Sequence, residues 1–326
     1  MGLLKQFHIF CISLFLVTTL RAEWNTKDFQ KREHSLVKPY QGAGFGVPNW
    51  DFLGSTMVTS NYVRLTPDQR SKQGALWNSV PCKTRNWELQ VQFKVTGTTK
   101  DLFGDGFAIW YAKDRMEYGP VFGSKDLFSG LAVIVDTYSN HNGPHNHNHP
   151  YVSAMINNGT LSYDHDRDGT HTMLGGCEVK FRNFQHETWL AIRYENDKLT
   201  VSHDLHNKNV WAPCFSIEGV LLPTGYYFGV SATTGDLSDN HDIIAIKTYE
   251  LDTADGISKE ERANIEPHAQ YFESPRDHKA DPEPSSMSGM KTFLLLLFGI
   301  LCCIACVVIG VMIYQNQQEN SRKRFY

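Results

Sequence analysis

Between Tyr163 and Gly169 the chain reads YDHDRDG, which sets Asp164, Asp166 and Asp168 at every second position ahead of a glycine. Aspartates in that rhythm are hard oxygen donors and form the first half of an EF-hand calcium loop. The second half is missing. Counted from Asp164, the position that needs a bidentate glutamate holds Gly175, and the flanks NNGTLSY and THTMLGGC carry no helical pattern. Calcium chemistry survives that failure, because loops at one end of a β-sandwich can pool oxygens from distant sequence. The other oxygen-rich stretch is VDTYSN, with Asp136 and Asn140 at the close of an apolar run. Asp136, Asn140 and Asp168, completed by backbone carbonyls and water, make a composite metal site. Taken one loop at a time, the same residues are ordinary turn formers.

Two further stretches carry polar chemistry next to glycine. In LFGDGFAIWY, Asp105 stands between two glycines at the start of an apolar strand, where the backbone can approach a ligand closely. In SATTGDLSDNHD, Gly235, Asp236 and Leu237 form a turn after a glycine-bearing strand. The insert HNGPHNHNHP places His141, His145, His147 and His149 in one loop, donors that suit zinc or copper. Their alternating spacing matches no zinc finger, and the loop reads better as a solvated segment rich in turn formers.

These loops need a rigid frame, and between residues 35 and 251 the pattern is strand after strand. WELQVQFKV alternates, with Trp87, Leu89, Val91, Phe93 and Val95 on one face and Glu88, Gln90, Gln92 and Lys94 on the other. GFAIWYA and GLAVIVDTY are continuously apolar, as central strands are. TWLAIRYENDKLTVSHDL reads as a hairpin turning at Asn196-Asp197. The expectation is one all-β domain, 35–251, built as a two-sheet sandwich.

Both ends of the 326-residue chain belong to targeting and anchoring. Residues 1–22, with Lys5, an apolar run and Ala22, read as a secretory signal peptide. Residues 252–290 are charged, dotted with proline and poor in β-branched residues, which describes a luminal stalk. Residues 291–314 contain an uncharged apolar run long enough to span a bilayer. The basic tail 315–326, with Arg322, Lys323 and Arg324, sets a type I orientation. The body then lies in an oxidising lumen, where Cys82, Cys177 and Cys214 offer one disulfide and one free thiol without saying which. Asn158-Gly-Thr is the luminal N-glycosylation sequon. A formal net charge of −4 gives no indication of a nucleic-acid partner.

Taken together, GDGFAIWY, GPVFGSKDLFSGLAVIVDTY, NNGTLSYDH, TGYYFGVSATTGDLSDNHD and the terminal KRFY resemble the leguminous-type (L-type) lectins of the animal early secretory pathway. The Gly-Asp-Leu turn and the RKRFY end are closer to the vesicular integral membrane protein branch than to the cargo-receptor branch. The resemblance covers nearly the whole chain. It implies a concanavalin-like β-sandwich that binds high-mannose N-glycans on glycoproteins and serves their sorting, transport or quality control between endoplasmic reticulum and Golgi. It implies Asp136, Asn140 and Asp168 as calcium-ligating side chains, with the Tyr138 carbonyl as a further ligand. Ser71, Asp105, Asn140 and His165 match mannose-contacting positions, and Gly235, Asp236 and Leu237 match the loop that meets the sugar. Cys177 and Cys214 match the disulfide of the family. Ser139 and His141 stand where the cargo-receptor branch has further acids, so one Ca2+ ion is expected.

That assignment is chemically coherent. Asp105 can accept two hydrogen bonds, the Asn140 amide can donate, and so can the backbone amides at Gly235 and Asp236. Calcium then pins Asn140 and the Asp168 loop without touching the sugar, which lowers the ordering cost of binding. Acid that protonates the carboxylate ligands and His165 weakens metal and sugar together. Phe325 and Tyr326 resemble an aromatic export signal read by coat proteins, and the preceding arginines a retrieval signal. The resemblance thus places the chain in membranes of the endoplasmic reticulum, the intermediate compartment and the Golgi. A glycosidase on the same fold needs two carboxylates flanking the scissile bond, and the strand run that carries them is absent. A purely structural or protein-binding ectodomain is the other alternative.

Overall fold

The computed structural model describes residues 29–40, 46–100, 102–140, 148–251, 262–269 and 289–322. The expected signal peptide, His141, His145, His147 and the residues from Lys323 to Tyr326 lie outside them. The chain forms two units, Met1–Pro275 and Arg276–Tyr326.

The first unit is built of antiparallel strands. In chain order these are β1 (Phe29–Gln30), β2 (Trp50–Gly54), β3 (Met57–Val58), β4 (Val63–Thr66), β5 (Gln73–Asn78) and β6 (Trp87–Thr96). There follow β7 (Gly106–Ala112), β8 (Ser129–Asp136), β9 (Tyr151–Asn158), β10 (Gly175–Glu178), β11 (Thr188–Glu195) and β12 (Lys198–Asp204). The last are β13 (Ala212–Glu218), β14 (Val220–Leu221), β15 (Tyr227–Thr233), β16 (Asn240–Glu250) and β17 (His268–Ala269). One sheet runs β13-β12-β11-β6-β16-β4-β3, with β1 added to β16; the other runs β10-β9-β8-β7-β15-β5-β2. This is the expected sandwich, beginning at Phe29, ahead of residue 35.

The expected strand faces hold. Trp87, Leu89, Val91, Phe93 and Val95 all point into the layer between the sheets, where they meet Phe107, Ile109, Leu131 and Val133. Glu88 is on the opposite face, yet it too is fully buried, because Arg193 of the neighbouring strand covers and pairs with it at 3.0 Å. The continuous apolar runs of β7 and β8 have a direct cause. Their odd-numbered residues face the other sheet, while Ala108, Trp110, Ala132 and Ile134 pack under Val121, Phe122, Phe128 and Tyr163 from the following loops. A sheet buried on both faces leaves no polar face to alternate. The hairpin between β11 and β12 turns at Asn196 and Asp197, both with positive φ (50° and 62°), as a two-residue type I′ turn requires.

Cys177 on β10 and Cys214 on β13 form the disulfide, with Cα atoms 5.4 Å apart, and Cys82 is a buried free thiol. The bridge ties the edge strand of one sheet to the edge strand of the other.

The expected stalk, 252–290, is in part a packed element of the domain. Within it, β17 pairs with β14, and Arg262 is 1% exposed. Its guanidinium pairs with Asp197 and donates to the Tyr194 hydroxyl at 2.7 Å. A composition poor in core-forming residues hid this, since the segment docks through one arginine and a two-residue strand. Among its described residues the second unit holds one helix, α1 (Gly289–Arg322), whose stretch Leu297–Gln315 is long and apolar enough to cross a membrane. This stretch starts after Lys291 and overlaps the expected span 291–314.

Arg262→Ala should lower unfolding free energy by about 2–3 kcal/mol, because Asp197 loses its cation beside a buried hydroxyl; denaturant unfolding of the full chain checks this. Acid should weaken the fold as well. Burial pushes the His241 imidazole down to about 3, so it is neutral when folded, while the unfolded chain protonates it near 6.5; burial lowers His34 in the same direction. Stability is therefore present above about pH 6.5 and lost as pH falls below it, by up to about 1.4 kcal/mol per pH unit for His241. Unfolding midpoints from pH 7 to pH 5 should fall less steeply for His241→Gln than for the wild type.

Candidate functional site

Three strand ends meet at one end of the seven-stranded sheet. Gly106, which opens β7, is paired with Asp136, which closes β8, and with Thr233, which closes β15. The loops bearing Asp105, Asp136 and Gly235 are thereby brought side by side from three separate stretches of sequence. The Thr137 N–H donates to the Asp105 carbonyl at 3.0 Å, tying the first two together. The Gly104–Asp105 peptide is cis.

The fourth contributor is the YDHDRDG loop. It forms a short 3-10 turn, His165–Arg167, and then places Asp168 in the left-handed region at φ 50°. That bend sends the Asp168 carboxylate inward, 4% exposed, to where Asp136 is 7% exposed. The Tyr138 N–H donates to Asp136 Oδ1 at 3.0 Å, and the Asn140 N–H donates to Asp168 Oδ1 at 2.9 Å. One side of the carboxylate pair thus organises the loop from Tyr138 to Asn140. Asp164 and Asp166 take no part in this cluster; Asp164 instead lies 3.9 Å from Arg167.

A residue expected to sit in a solvated loop closes the other side. β9 returns with Tyr151 opposite Asp136, so His149, just ahead of it, is carried to the same end. Its side chain is 5% exposed, and Nε2 lies 3.8 Å from Asp136 Oδ2 and 3.9 Å from Asp168 Oδ2. One ligand atom from each of Asp136, His149 and Asp168 falls within 4.8 Å of the others.

Burial, reinforced by the Asp168 charge, raises the Asp136 carboxyl above its usual range, although His149 and the Tyr138 amide pull it back. Burial, then the charges of Asp136 and Asp236, pushes Asp105 up to about 6. Buried carboxylates crowded together are costly unless a cation neutralises them. Hard oxygens, converging geometry and excess negative charge fit a divalent ion.

Beside the cluster opens a cleft of about 300 Å³, at the low end of the range for small-molecule sites. Asp105, Asp136, Asn140, His165 and Gly235 line it, so five of the expected residues share one wall system. A Cβ on Gly235 would lie 3.1 and 3.2 Å from the Asp105 carboxylate oxygens, so glycine keeps that side of the carboxylate uncrowded. Ser71 does not line the cleft. Its N–H donates to the Gly235 carbonyl at 3.0 Å, so it buttresses the turn. Leu237 and Tyr138 close around Gly104, and Asp236 is exposed at the rim.

Pro120, Phe122, Thr233 and Thr234 also line the cleft and were not singled out as site residues from sequence. Phe122 has left-handed φ, 46°, and its ring packs 5.5 Å from that of His165. The Pro-Val-Phe-Gly turn was its only local signal. Asn158 is exposed at the end of β9, its amide nitrogen donating to Glu266 at 3.0 Å.

Residues 27–257 match the legume-like lectin family. The mouse (Mus musculus) vesicular integral-membrane protein VIP36 is 53% identical over 305 residues, spanning 91% of this chain and 84% of that protein. The human (Homo sapiens) VIP36-like protein is 50% identical over 307 residues, spanning 92% and 87%. The crystal structure of the VIP36 exoplasmic/lumenal domain in its Ca2+/Man-bound form superimposes with a TM-score of 0.71 at 55% identity. It covers 76% of this chain and all of that one.

Asp105→Asn tests the electrostatic reading. With its folded carboxyl held at about 6 against the ordinary value of 3.8, Asp105 contributes stability at low pH that is lost as pH rises through about 6 and is gone at pH 7.5. The neutral amide should therefore raise the melting temperature of the metal-free chain at pH 7.5 by about 2–4 °C, and calcium at saturation should shrink the gap.

Proposed function

The chain belongs to the legume-like lectin family, and on that premise we propose that it binds high-mannose N-glycans of glycoproteins in the early secretory pathway through a calcium-organised site. The observation that carries this reading is the meeting of Asp105, Asn140, His165 and Gly235 in one cleft, directly against the buried Asp136–Asp168 pair. In this reading Asp136, Asn140, Asp168 and the Tyr138 carbonyl hold one Ca2+. When bound, the ion supplies charge neutralisation and fixes the Asn140 loop.

The roles follow from donor and acceptor chemistry. Asp105 accepts hydrogen bonds from two sugar hydroxyls, while the Asn140 amide and the Gly235 and Asp236 backbone N–H groups donate. His165, held edge-on 4.7 Å from the Tyr163 ring, presents a nitrogen to the same ligand. Ser71 holds the Gly235 turn from behind through its N–H, and Leu237 packs beside Gly104. The relative solved with calcium and mannose bound supports this arrangement. Recognition without turnover suits a lectin family, and no residue here is assigned a reaction.

Among the described residues, one apolar helix fits a single membrane span. A luminal lectin with a tail of Arg322, Lys323, Arg324, Phe325 and Tyr326 would carry cargo between endoplasmic reticulum, intermediate compartment and Golgi by engaging coat proteins. Asn158 is the glycan acceptor of the lectin itself in this reading.

The full chain in detergent, screened on a glycan array with calcium, with chelator and as Asp105→Asn, tests the proposal. Binding confined to high-mannose glycans, and lost by at least about tenfold in both controls, is expected. Each lost charge-assisted hydrogen bond is worth about 1.5–3 kcal/mol. Binding indifferent to chelation, or a folded chain that binds no glycan, would overturn it.

A further inference from the structure

Two of the loops at the cleft are held by a side chain that does not line it. Arg182 lies between β10 and β11, one residue after Phe181, which is 2% exposed and packs edge-on to Phe93 in the core. Its guanidinium grips Asp239 with a fork, Nε donating to Oδ2 and Nη2 to Oδ1, each at 2.8 Å. The Asp239 side chain is fully buried, and it stands two residues after Leu237 of the Gly-Asp-Leu turn. The same guanidinium lies over the Phe103 ring, 4.0 Å from its centroid. Phe103 stands two residues before Asp105. One planar cation thus meets the anchor of the Gly-Asp-Leu turn through its N–H fork and the anchor of the Asp105 loop through its face, a pair of contacts that an ammonium cannot reproduce.

The guanidinium is itself held in place. Gly97, just after β6, passes so close that a Cβ there would collide with both the Asp239 carboxylate and the Arg182 guanidinium. Asn183, next along from Arg182, is tied to Gly97 in both directions: its side-chain oxygen accepts the Gly97 N–H at 2.9 Å, and its amide donates to the Gly97 carbonyl at 3.2 Å. The Ser238 hydroxyl donates to Asp68 at 2.6 Å, a second hold on the turn that does not involve Arg182. An ion pair this deeply buried is weak evidence for stability. Its fork geometry is better explained by where it places the groups it touches. We propose that Arg182 is a positioning residue for glycan recognition: from behind the cleft it clamps the Asp105 loop and the Gly235–Leu237 turn together and so sets their separation. The glycan part of this rests on the function proposed above. Calcium orders the Asn140 side of the cleft, and Arg182 orders the opposing side. Preorganised loops leave less freedom to be lost on binding, so loosening the clamp weakens sugar binding while the carboxylate pair keeps its metal.

The test compares the full chain in detergent as wild type, Arg182→Lys and Phe103→Leu. The first variant keeps a cation opposite Asp239 and the second keeps the ion pair whole, so neither leaves a bare buried carboxylate. Circular dichroism melts confirm that each is folded. Hydrogen exchange read by mass spectrometry, on the calcium-loaded chain without glycan, follows residues 102–105 and 235–238. Calorimetric titrations give the affinity for calcium, on chelator-stripped chain, and for a high-mannose oligosaccharide at saturating calcium. Both variants should exchange faster over the two loops and bind the oligosaccharide about three- to thirtyfold more weakly, with calcium affinity unchanged. Exchange unchanged in the two loops of a folded variant would overturn the proposal. So would glycan affinity equal to the wild type, or glycan and calcium affinity falling in step, which marks a general loosening of the fold. A wild type that takes no oligosaccharide, with both loops loosened in the variants, would overturn the glycan reading and leave the clamp standing.

Discussion

Two carboxylates buried within a few ångströms of each other are the constraint around which this site is arranged. Asp136 and Asp168 are nearly inaccessible, and each has one oxygen committed to a backbone N–H. Their charge repels more strongly inside the protein than in water, because the interior screens poorly. A cation converts that repulsion into attraction, and it does so at the point where the Tyr138–Asn140 loop and the YDHDRDG loop meet. Loop order and metal binding are therefore one equilibrium. Asp105 belongs to the same electrostatic system, since Asp136 is among the charges that raise its carboxyl.

The sandwich supplies what such a site needs, which is rigidity close to the chemistry. The seven-stranded sheet is covered on both faces, by the other sheet on one side and by loop residues such as Phe122, Phe128 and Tyr163 on the other. Phe122 and Tyr163 serve twice, sealing the second core and packing against the His165 ring at the edge of the cleft. The polar groups that line the cleft thus stand on walls whose other sides are packed apolar interior. Ligand sites at the ends of strands gain precision in this way, because strand pairing fixes where each loop begins.

Farther from the cleft, the fold is closed by contacts that span long stretches of chain. The Cys177–Cys214 bridge joins the two sheets at their edges. Arg262 and β17 return from beyond the last long strand to cover the β11–β12 turn and β14. The Asn158 amide reaches Glu266 of that returning segment, so the sequon and the end of the domain are in contact.

Much of this was legible in the residues themselves. Alternation announced β6, continuous apolar runs announced β7 and β8, and Asn-Asp announced a tight hairpin, because these depend on local sterics and on which faces are buried. Aspartates beside glycines marked the loops, and family resemblance joined them into a site. Only the tertiary structure decided the rest. His149 looked like one more residue of a solvated, histidine-rich loop until the β8–β9 register carried it against Asp136. Arg262 looked like stalk until its guanidinium met Asp197 and Tyr194. Phe122 carried no mark of a binding residue until packing turned it toward His165. In each case the deciding contact lies across strands or loops far apart in the chain. Local propensity is blind to such pairings, since only the folded register determines which distant groups share a few cubic ångströms.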